Sequence, residues 1–365
     1  MKKHGRNSLT AVGMAVLAKL PDTLASLNLP ITDMFTHGAV NIDIGLPDTQ
    51  YTLLFDPGSS NTWIGAQKAY VITSSSQKTS DSVAVTYGSG SFSGLEYNDI
   101  LTISGAAFNQ SIGVANTTTG VTEVDGLLGL GPTDLTLGTL TPDKSQTIPT
   151  VPDNLFSQGH VESATVTIVK QAITFGSTSL TNVTYAPITE VAVAKTFWGF
   201  DASVAYGDSS LLSAKAGIID HGSTATLLST SSFNHLLNLT GATVDENTGL
   251  PVLSSCSALD PIILTLAGVN ITIPVDVYRW PADNNTAIGG DENKCYLAIS
   301  NIGTSFENLS QRPDLQFRKS SFSGNQADAD NVSFILGYNT LKHFGVVLDK
   351  ENSLIGMTNQ VMEAR

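Results

Sequence analysis

The sequence has 365 residues, a net charge of −14 and 41% hydrophobic residues, enough apolar material for two folded units with separate cores. The acidic balance disfavours nucleic-acid and anionic-membrane partners, because such surfaces repel a negatively charged protein. No apolar run approaches the roughly 18 residues of a membrane-spanning helix, so the sequence predicts no membrane partner.

The first 20 residues have the opposite charge, with four basic residues and no acidic ones. Lys2 and Lys3 precede an apolar stretch at 9–18, but this resembles a signal peptide only weakly because a long apolar region is missing. A partial basic prosegment is the alternative. We therefore predict that residues 1–35 form a signal-like or prosegment region.

From about residue 38 onward, alternating apolar residues and frequent turn residues predict strands. The predicted strands are 40–44, 51–55, 83–87, 100–103, 164–168 and 172–175. Short helices are predicted at 154–158, 231–239 and 338–344, and polar surface loops at 74–82 and 311–331. The sequence thus predicts an all-β protein in which the helices are connectors.

Two segments share the pattern apolar-Asp-x-Gly-Ser, one in each half of the chain, at residues 55–59 and 219–223. Asp56 and Asp220 each follow an apolar run and precede a turn, so each is predicted at the end of a strand. A single copy is more often an ordinary turn. The second copy makes two equivalent carboxylates at an interface the better interpretation.

Each half also contains a later apolar segment with glycine, at residues 125–131 and 334–338. Glycine in a tightly packed strand would explain either segment alone. The same order in both halves indicates duplication. We therefore predict an N-terminal lobe over residues 36–190 and a C-terminal lobe over residues 191–365.

Paired carboxyl groups supply a specific chemistry. Two of them a few ångströms apart cannot both ionise easily, so they share one proton. The ionised member takes a proton from water while the protonated member donates to a carbonyl oxygen. Such a pair hydrolyses peptide bonds without a metal, a cofactor or a covalent intermediate, and it favours acidic pH.

Other hydrolase chemistries find little support. Neither Gly-x-Ser-x-Gly nor His-Glu-x-x-His occurs in the sequence. The six histidines, at positions 4, 37, 160, 221, 235 and 343, show no metal-ligand spacing.

The cysteines and the Asn-x-Ser/Thr sites favour a secreted, extracellular glycoprotein with one disulfide. Cys256 and Cys295 are the only two cysteines, and the Asn-x-Ser/Thr sites begin at residues 109, 116, 182, 238, 270, 284, 308 and 331. The alternative is that these sites arise by chance in a chain rich in Asn, Ser and Thr, and that the cysteines are buried thiols.

In combination these motifs resemble the pepsin-like aspartic endopeptidases, and among them the fungal polyporopepsins, over about residues 36–358. The resemblance rests on Asp-Pro-Gly-Ser-Ser-Asn-Thr-Trp at 56–63, Val-Thr-Tyr-Gly-Ser-Gly-Ser at 85–91, both apolar-glycine segments and the second Asp-x-Gly-Ser. It implies a bilobal fold with a cleft between β-barrel-like lobes. It also implies a polypeptide substrate and a monomeric enzyme made as a zymogen.

The resemblance implies roles for individual residues. Asp56 and Asp220 would form the catalytic dyad, and Tyr87 would lie at the tip of a β-hairpin flap that closes over the substrate. The residues implied to bind substrate or support the dyad are Gly58, Ser59, Trp63, Gly88, Ser89, Gly222 and Ser223. In the family, the Trp bonds the flap Tyr, and the two Ser hydroxyls bond the outer carboxylate oxygens. Cys256 and Cys295 match the disulfide of the C-terminal lobe.

The chain departs from the family pattern Asp-Thr-Gly at Pro57 and His221. The family's two Thr hydroxyls make reciprocal hydrogen bonds between the lobes, and Pro57 has neither hydroxyl nor backbone N–H. His221 could place a cation beside the dyad and oppose proton sharing, or it could donate one hydrogen bond in place of Thr. A catalytically impaired homologue that binds peptides or proteins is therefore the alternative to an active endopeptidase.

Overall fold

The computed structural model describes residues 26–88, 90–302 and 332–362. Strands are the dominant secondary structure in this part of the chain and the helices are few and short, which confirms the predicted all-β class. The strands are β1 (Leu27–Asp33), β2 (Gly38–Ile44), β3 (Thr49–Asp56), β4 (Trp63–Ile64), β5 (Gln77–Tyr87), β6 (Gly90–Ile103), β7 (Ala106–Thr119), β8 (Gly126–Gly129), β9 (Leu140–Thr141), β10 (Val166–Val169), β11 (Ala172–Phe175), β12 (Val183–Pro187), β13 (Gly199–Tyr206), β14 (Ser209–Ile219), β15 (Thr226–Leu228), β16 (Thr243–Val244), β17 (Pro251–Leu253), β18 (Ile262–Leu266), β19 (Val269–Ile273), β20 (Cys295–Tyr296), β21 (Ile299–Asn301), β22 (Val332–Leu336), β23 (Val346–Asp349) and β24 (Leu354–Thr358).

The helices are short connectors. The α-helices are α1 (Val151–Ser157), α2 (Ala192–Lys195), α3 (Thr230–Thr240), α4 (Val275–Tyr278) and α5 (Tyr338–Leu341), and single 3-10 turns cover Thr133–Thr136, Ala282–Asn284 and Thr286–Ile288. Helices near the three predicted positions are present as α1, α3 and α5. Helix α5 ends at Leu341, three residues before the predicted end.

The largest sheet has 14 strands in the order β12-β24-β23-β10-β11-β1-β2-β3-β8-β4-β7-β6-β5-β9. Its first six strands come from both ends and the middle of the chain, and the remaining eight all come from residues 38–141. A separate seven-stranded sheet, β19-β18-β13-β14-β22-β15-β21, is built from residues 199–336, and β16, β17 and β20 form a small third sheet. Each half of the chain thus builds its own sheet, and the six strands at one end of the largest sheet join the halves.

Local sequence explains the longest hairpin of the first half. Strand β6 alternates buried and partly exposed residues along most of its length and pairs with β7 from Ile103↔Ala106 to Ser91↔Thr119. Ser104 and Gly105 connect these strands with φ values of 50° and 83°. A two-residue turn with both φ values positive matches the twist of the flanking strands.

All six strands predicted from the sequence are present within a few residues. The loop predicted at 74–82 is wrong from residue 77 onward, because β5 begins at Gln77 and pairs with β6. The first part of β5 is exposed on both faces, so it has no apolar alternation to reveal it. The loop predicted at 311–331 lies outside the described residues.

The region predicted as signal or prosegment is described only from residue 26. Strand β1 lies between β11 and β2 in the largest sheet, with Leu27 opposite Phe175 and Ile31 opposite Val40. Residues 27–33 are therefore part of the sheet. The lobe boundaries near residues 36 and 190 stay predictions.

Candidate active site

The two aspartates occupy equivalent positions at the ends of equivalent strands. Asp56 ends β3, which runs parallel to β8 with Asp56 opposite Gly129. Asp220 follows β14, which runs parallel to β22 with Ile219 opposite Leu336, and its N–H donates to the Leu336 carbonyl at 3.1 Å. Each Asp strand thus lies beside the apolar-glycine segment of its own half, which supports the duplication inferred from the sequence.

The carboxyl groups of Asp56 and Asp220 face each other across the junction of the two halves. Their exposures are only 4% and 1%. A methyl group added to Gly58 would lie 2.5 Å from Oδ1 of Asp220 and 3.1 Å from Oδ1 of Asp56, so both carboxyls approach the same backbone atoms. The Gly222 N–H donates to Asp56 Oδ1 at 3.1 Å. Only glycine permits this proximity at positions 58 and 222.

Each carboxylate is supported within its own loop. Ser59 Oγ donates to Asp56 Oδ2 at 2.7 Å, and Ser223 Oγ donates to Asp220 Oδ2 at 2.8 Å. Backbone N–H groups bond the inner oxygens, from Gly58 to Asp56 at 2.8 Å and from Gly222 to Asp220 at 2.9 Å. The serine hydrogen bonds that the family resemblance implied are confirmed.

Burial raises the pKa of Asp220 well above its usual value of 3.8, and the negative charge of Asp56 raises it further. The hydrogen bond from Ser223 lowers it in part. The arrangement therefore retains a proton on Asp220 at acidic pH.

His221 has neither of the two roles considered from the sequence. It is 1% exposed, and burial lowers its pKa to about 3, so the ring is neutral above that pH. Among the described residues, neither ring nitrogen has a hydrogen-bond partner. Instead, the ring packs against Phe55 and Tyr338, at centroid distances of 5.2 and 6.2 Å. The expectation that His221 places a cation beside the dyad was therefore wrong. The expectation that it donates a hydrogen bond in place of Thr was also wrong.

The hairpin formed by β5 and β6 has the arrangement expected of a flap. Tyr87 pairs with Gly90 at its end, and the Trp63 Nε1–H donates to the Tyr87 hydroxyl at 2.9 Å. Trp63 also stacks on Phe92 with 4.5 Å between ring centroids. Gly88 lies in the turn, whereas Ser89 lies outside the described residues. The Trp63–Tyr87 hydrogen bond is confirmed.

A disulfide joins Cys256 and Cys295 in the second half, as the resemblance implied. In residues 26–88, 90–302 and 332–362, no three His, Cys, Asp or Glu side chains are placed to hold a metal ion. No helix in this part of the chain is both long and apolar enough to cross a membrane.

Three residues linked to His221 through the Tyr338 ring were not recognised from the sequence. Tyr338 donates to Asp33 Oδ1 at 3.1 Å, and Lys342 Nζ lies 3.4 Å from Asp33 Oδ2. Tyr338 ends the second apolar-glycine segment, which is the one signal that pointed to it. Asp33 and Lys342 are separated by 309 residues and had no such signal.

Comparison with known proteins agrees with this geometry. The family model for eukaryotic aspartyl proteases matches residues 38–360. Polyporopepsin of Irpex lacteus is 40% identical over 351 residues, covering 91% of this chain and 97% of that protein. Pepsin A of Bos taurus is 26% identical over 274 residues, covering 65% of this chain and 69% of that protein.

A solved structure shows the same fold. The crystal structure of the aspartic proteinase from Irpex lacteus matches with a TM-score of 0.82 and 39% identity, covering 92% of this chain and 97% of that one. The architecture described above is thus the bilobal pepsin-like fold. Because the family model spans most of the sequence, this chain belongs to the eukaryotic aspartyl protease family and is a pepsin-like aspartic endopeptidase.

Proposed function

We propose that Asp56 and Asp220 are the catalytic dyad with which this endopeptidase hydrolyses peptide bonds at acidic pH. The observation that carries the proposal is the hydrogen bond from the Gly222 N–H to Asp56 Oδ1 at 3.1 Å. It runs from the loop of one aspartate to the carboxylate of the other, and both carboxyl groups are buried. This geometry supports one proton shared between two carboxyls.

The proposed reaction divides the work between the two carboxyl groups. Asp56 is the base that takes a proton from the attacking water, while protonated Asp220 donates its proton to the carbonyl oxygen of the substrate. The C–N bond of the tetrahedral intermediate then breaks as Asp56 gives its proton to the leaving amine and Asp220 takes a proton back from one of the two hydroxyls, which restores the starting protonation of the pair. Asp220 is assigned the proton because burial and the charge of Asp56 raise its pKa.

The substrate is proposed to be a polypeptide held in the cleft under the flap. Tyr87, Gly88 and Ser89 are assigned to the flap side, and Gly58, Gly222 and Ser223 to the floor beside the dyad. A flap of this kind excludes water from the reacting carbonyl and commits the substrate to the site.

The impaired-homologue alternative gains no support from these findings. It depended on Pro57 and His221 disturbing the dyad, but His221 is neutral above about pH 3. The serine and backbone hydrogen bonds to both carboxylates are present.

We also propose that the protein is a secreted, monomeric glycoprotein made as a zymogen, without nucleic-acid or membrane partners. Five of the Asn-x-Ser/Thr asparagines in the described residues are exposed, at positions 109, 116, 182, 238 and 270. A loss of apparent mass on treatment of culture-secreted protein with an N-glycosidase tests both secretion and glycosylation.

The dyad is tested by the hydrolysis of a denatured protein at about pH 3 to 5, with and without a statine-type inhibitor. Asp56→Asn and Asp220→Asn should each abolish hydrolysis. Asp99→Asn is the matched control, because Asp99 is equally buried but bonds Tyr70 and Ser75 away from the dyad. Hydrolysis that survives Asp56→Asn would contradict the assignment.

A further inference from the structure

Tyr338 is held at both ends beside the loop that carries Asp220. It is 2% exposed, and its N–H donates to the Ser223 carbonyl at 2.7 Å. At the other end, its hydroxyl donates to Asp33 Oδ1 at 3.1 Å. Tyr338 therefore connects the Asp220 loop to the end of β1.

The ring of Tyr338 meets the ring of His221 at 6.2 Å and 64°. Because neither nitrogen of His221 has a hydrogen-bond partner in the described residues, the ring contacts with Phe55 and Tyr338 hold the imidazole in place. The position of His221 thus depends on the position of Tyr338.

Asp33, the acceptor for Tyr338, is itself well anchored. The Phe35 N–H donates to Asp33 Oδ1 at 2.8 Å, and Lys342 Nζ lies 3.4 Å from Asp33 Oδ2. The Lys342 side chain is 10% exposed, and its ammonium lies 5.2 Å from the centre of the Tyr338 ring. The carboxylate and the ammonium together hold the phenol in one place.

We propose that Tyr338 is a positioning residue for the dyad. Its hydroxyl bond to Asp33 fixes the ring on which His221 packs, and this contact replaces the Thr–Thr alignment that Pro57 and His221 cannot make. The inference rests on the proposed dyad of Asp56 and Asp220. It concerns the alignment of that dyad and assigns no chemical step to Tyr338.

The first test is Tyr338→Phe, which keeps the ring and removes only the hydroxyl. Because small displacements of reacting groups are costly, kcat for peptide hydrolysis should fall about fivefold to tenfold while KM stays within about twofold. Tyr206→Phe is the matched control. Tyr206 is 6% exposed, and its hydroxyl accepts the Asp260 N–H at 2.9 Å in a contact that does not involve the dyad.

The second test asks whether Tyr338 acts through His221. In the double variant Pro57→Thr, His221→Thr, the ring of His221 is absent, so adding Tyr338→Phe should change kcat by less than about twofold. Asp33→Ala should reproduce the kcat loss of Tyr338→Phe in the natural background. Combining the two should add no further loss, because both changes remove the same hydrogen bond.

Three results would overturn the inference: an unchanged kcat in Tyr338→Phe, an equal loss in both backgrounds, or an equal loss in Tyr206→Phe. A loss of kcat that appears only while His221 is present would support it. The dyad assignment fails by a different result, which is hydrolysis that survives Asp56→Asn. The two failures are therefore distinguishable.

Discussion

The imidazole of His221 packs against the phenyl ring of Phe55, with 5.2 Å between the ring centroids and 47° between the ring planes. Phe55 directly precedes Asp56, and His221 directly follows Asp220. This aromatic contact joins the two segments that carry the aspartates. The contact needs no hydrogen-bond donor, so it does not depend on the N–H that Pro57 lacks.

The effect of replacing His221 should therefore depend on which residue occupies position 57. In His221→Thr, the ring contacts are lost and a buried hydroxyl is introduced while position 57 has no Thr to pair with it, so we expect a stability loss of about 1 to 3 kcal/mol and a lower kcat. Pro57→Thr combined with His221→Thr should recover both. Urea unfolding and peptide hydrolysis on the four members of the cycle provide the measurement. A double variant no better than His221→Thr would show that the positions are independent.

The buried His221 should limit stability at low pH. Its pKa is about 3 in the folded protein and 6.5 unperturbed, so the unfolded chain binds the extra proton between these values. The free energy of unfolding should thus fall as the pH is lowered from 6.5 toward 3, by up to about 1.4 kcal/mol per unit.

His221→Phe keeps a ring at this position and removes that titration. Its free energy of unfolding should show a smaller decrease at low pH than that of the natural chain. His235→Gln, at an exposed histidine, serves as the control and should keep the natural slope. If the free energy of unfolding of His221→Phe decreases at low pH as steeply as that of the natural chain, then His221 is not buried in its neutral form.

Glu96 should make the protein less stable as the pH rises, whereas His221 makes it less stable as the pH falls. Burial raises its pKa to about 7, and the charge of Asp81 adds to this, against a lowering by the Ser111 hydrogen bond. The folded protein therefore holds a proton on Glu96 that the unfolded chain releases near pH 4.5.

The contribution of Glu96 to the free energy of unfolding is fully present below about pH 4.5. It is lost as the pH rises toward 7, and the total loss is about 3 kcal/mol. Glu96→Gln should remove this decrease, because Gln stays neutral. Thermal unfolding of both proteins at pH values across this window checks the prediction. Equal losses of stability in the two proteins would contradict it.

The Trp63–Tyr87 hydrogen bond should influence catalysis through the flap. Tyr87→Phe leaves the ring in place but removes the hydroxyl that accepts from Trp63 Nε1 at 2.9 Å. We expect kcat/KM to fall by about threefold to tenfold, since a less ordered flap closes less productively. Tyr185→Phe, at an exposed tyrosine of β12, should have no effect. Equal kcat/KM values in all three proteins would count against a role for this bond.

Much of the site was predictable because short segments determine it. Asp56 and Asp220 each sit in a strand-to-turn segment whose pattern is visible in the sequence. Ser59 and Ser223 reach their carboxylates from three residues away. Contacts of such short range follow from local turn geometry.

The environment of His221 was not predictable, because its neighbours come from distant parts of the chain. Phe55 precedes it by 166 residues and Tyr338 follows it by 117. Whether an imidazole is charged, hydrogen-bonded or packed as an aromatic ring depends on those neighbours and on burial. Glu96 is similar: a Glu in an alternating strand is expected to face solvent, yet it is 2% exposed.

The pH dependence of peptide hydrolysis by the natural chain, from about pH 2 to 7, shows most directly whether Asp56 and Asp220 work as a pair. Since hydrolysis requires the proton on Asp220, we predict a maximum at acidic pH. Activity should fall as the pH rises through the raised pKa of that carboxyl. A natural chain inactive at every pH, with activity appearing only in Pro57→Thr, His221→Thr, would contradict the claim that this dyad works without the Thr pair.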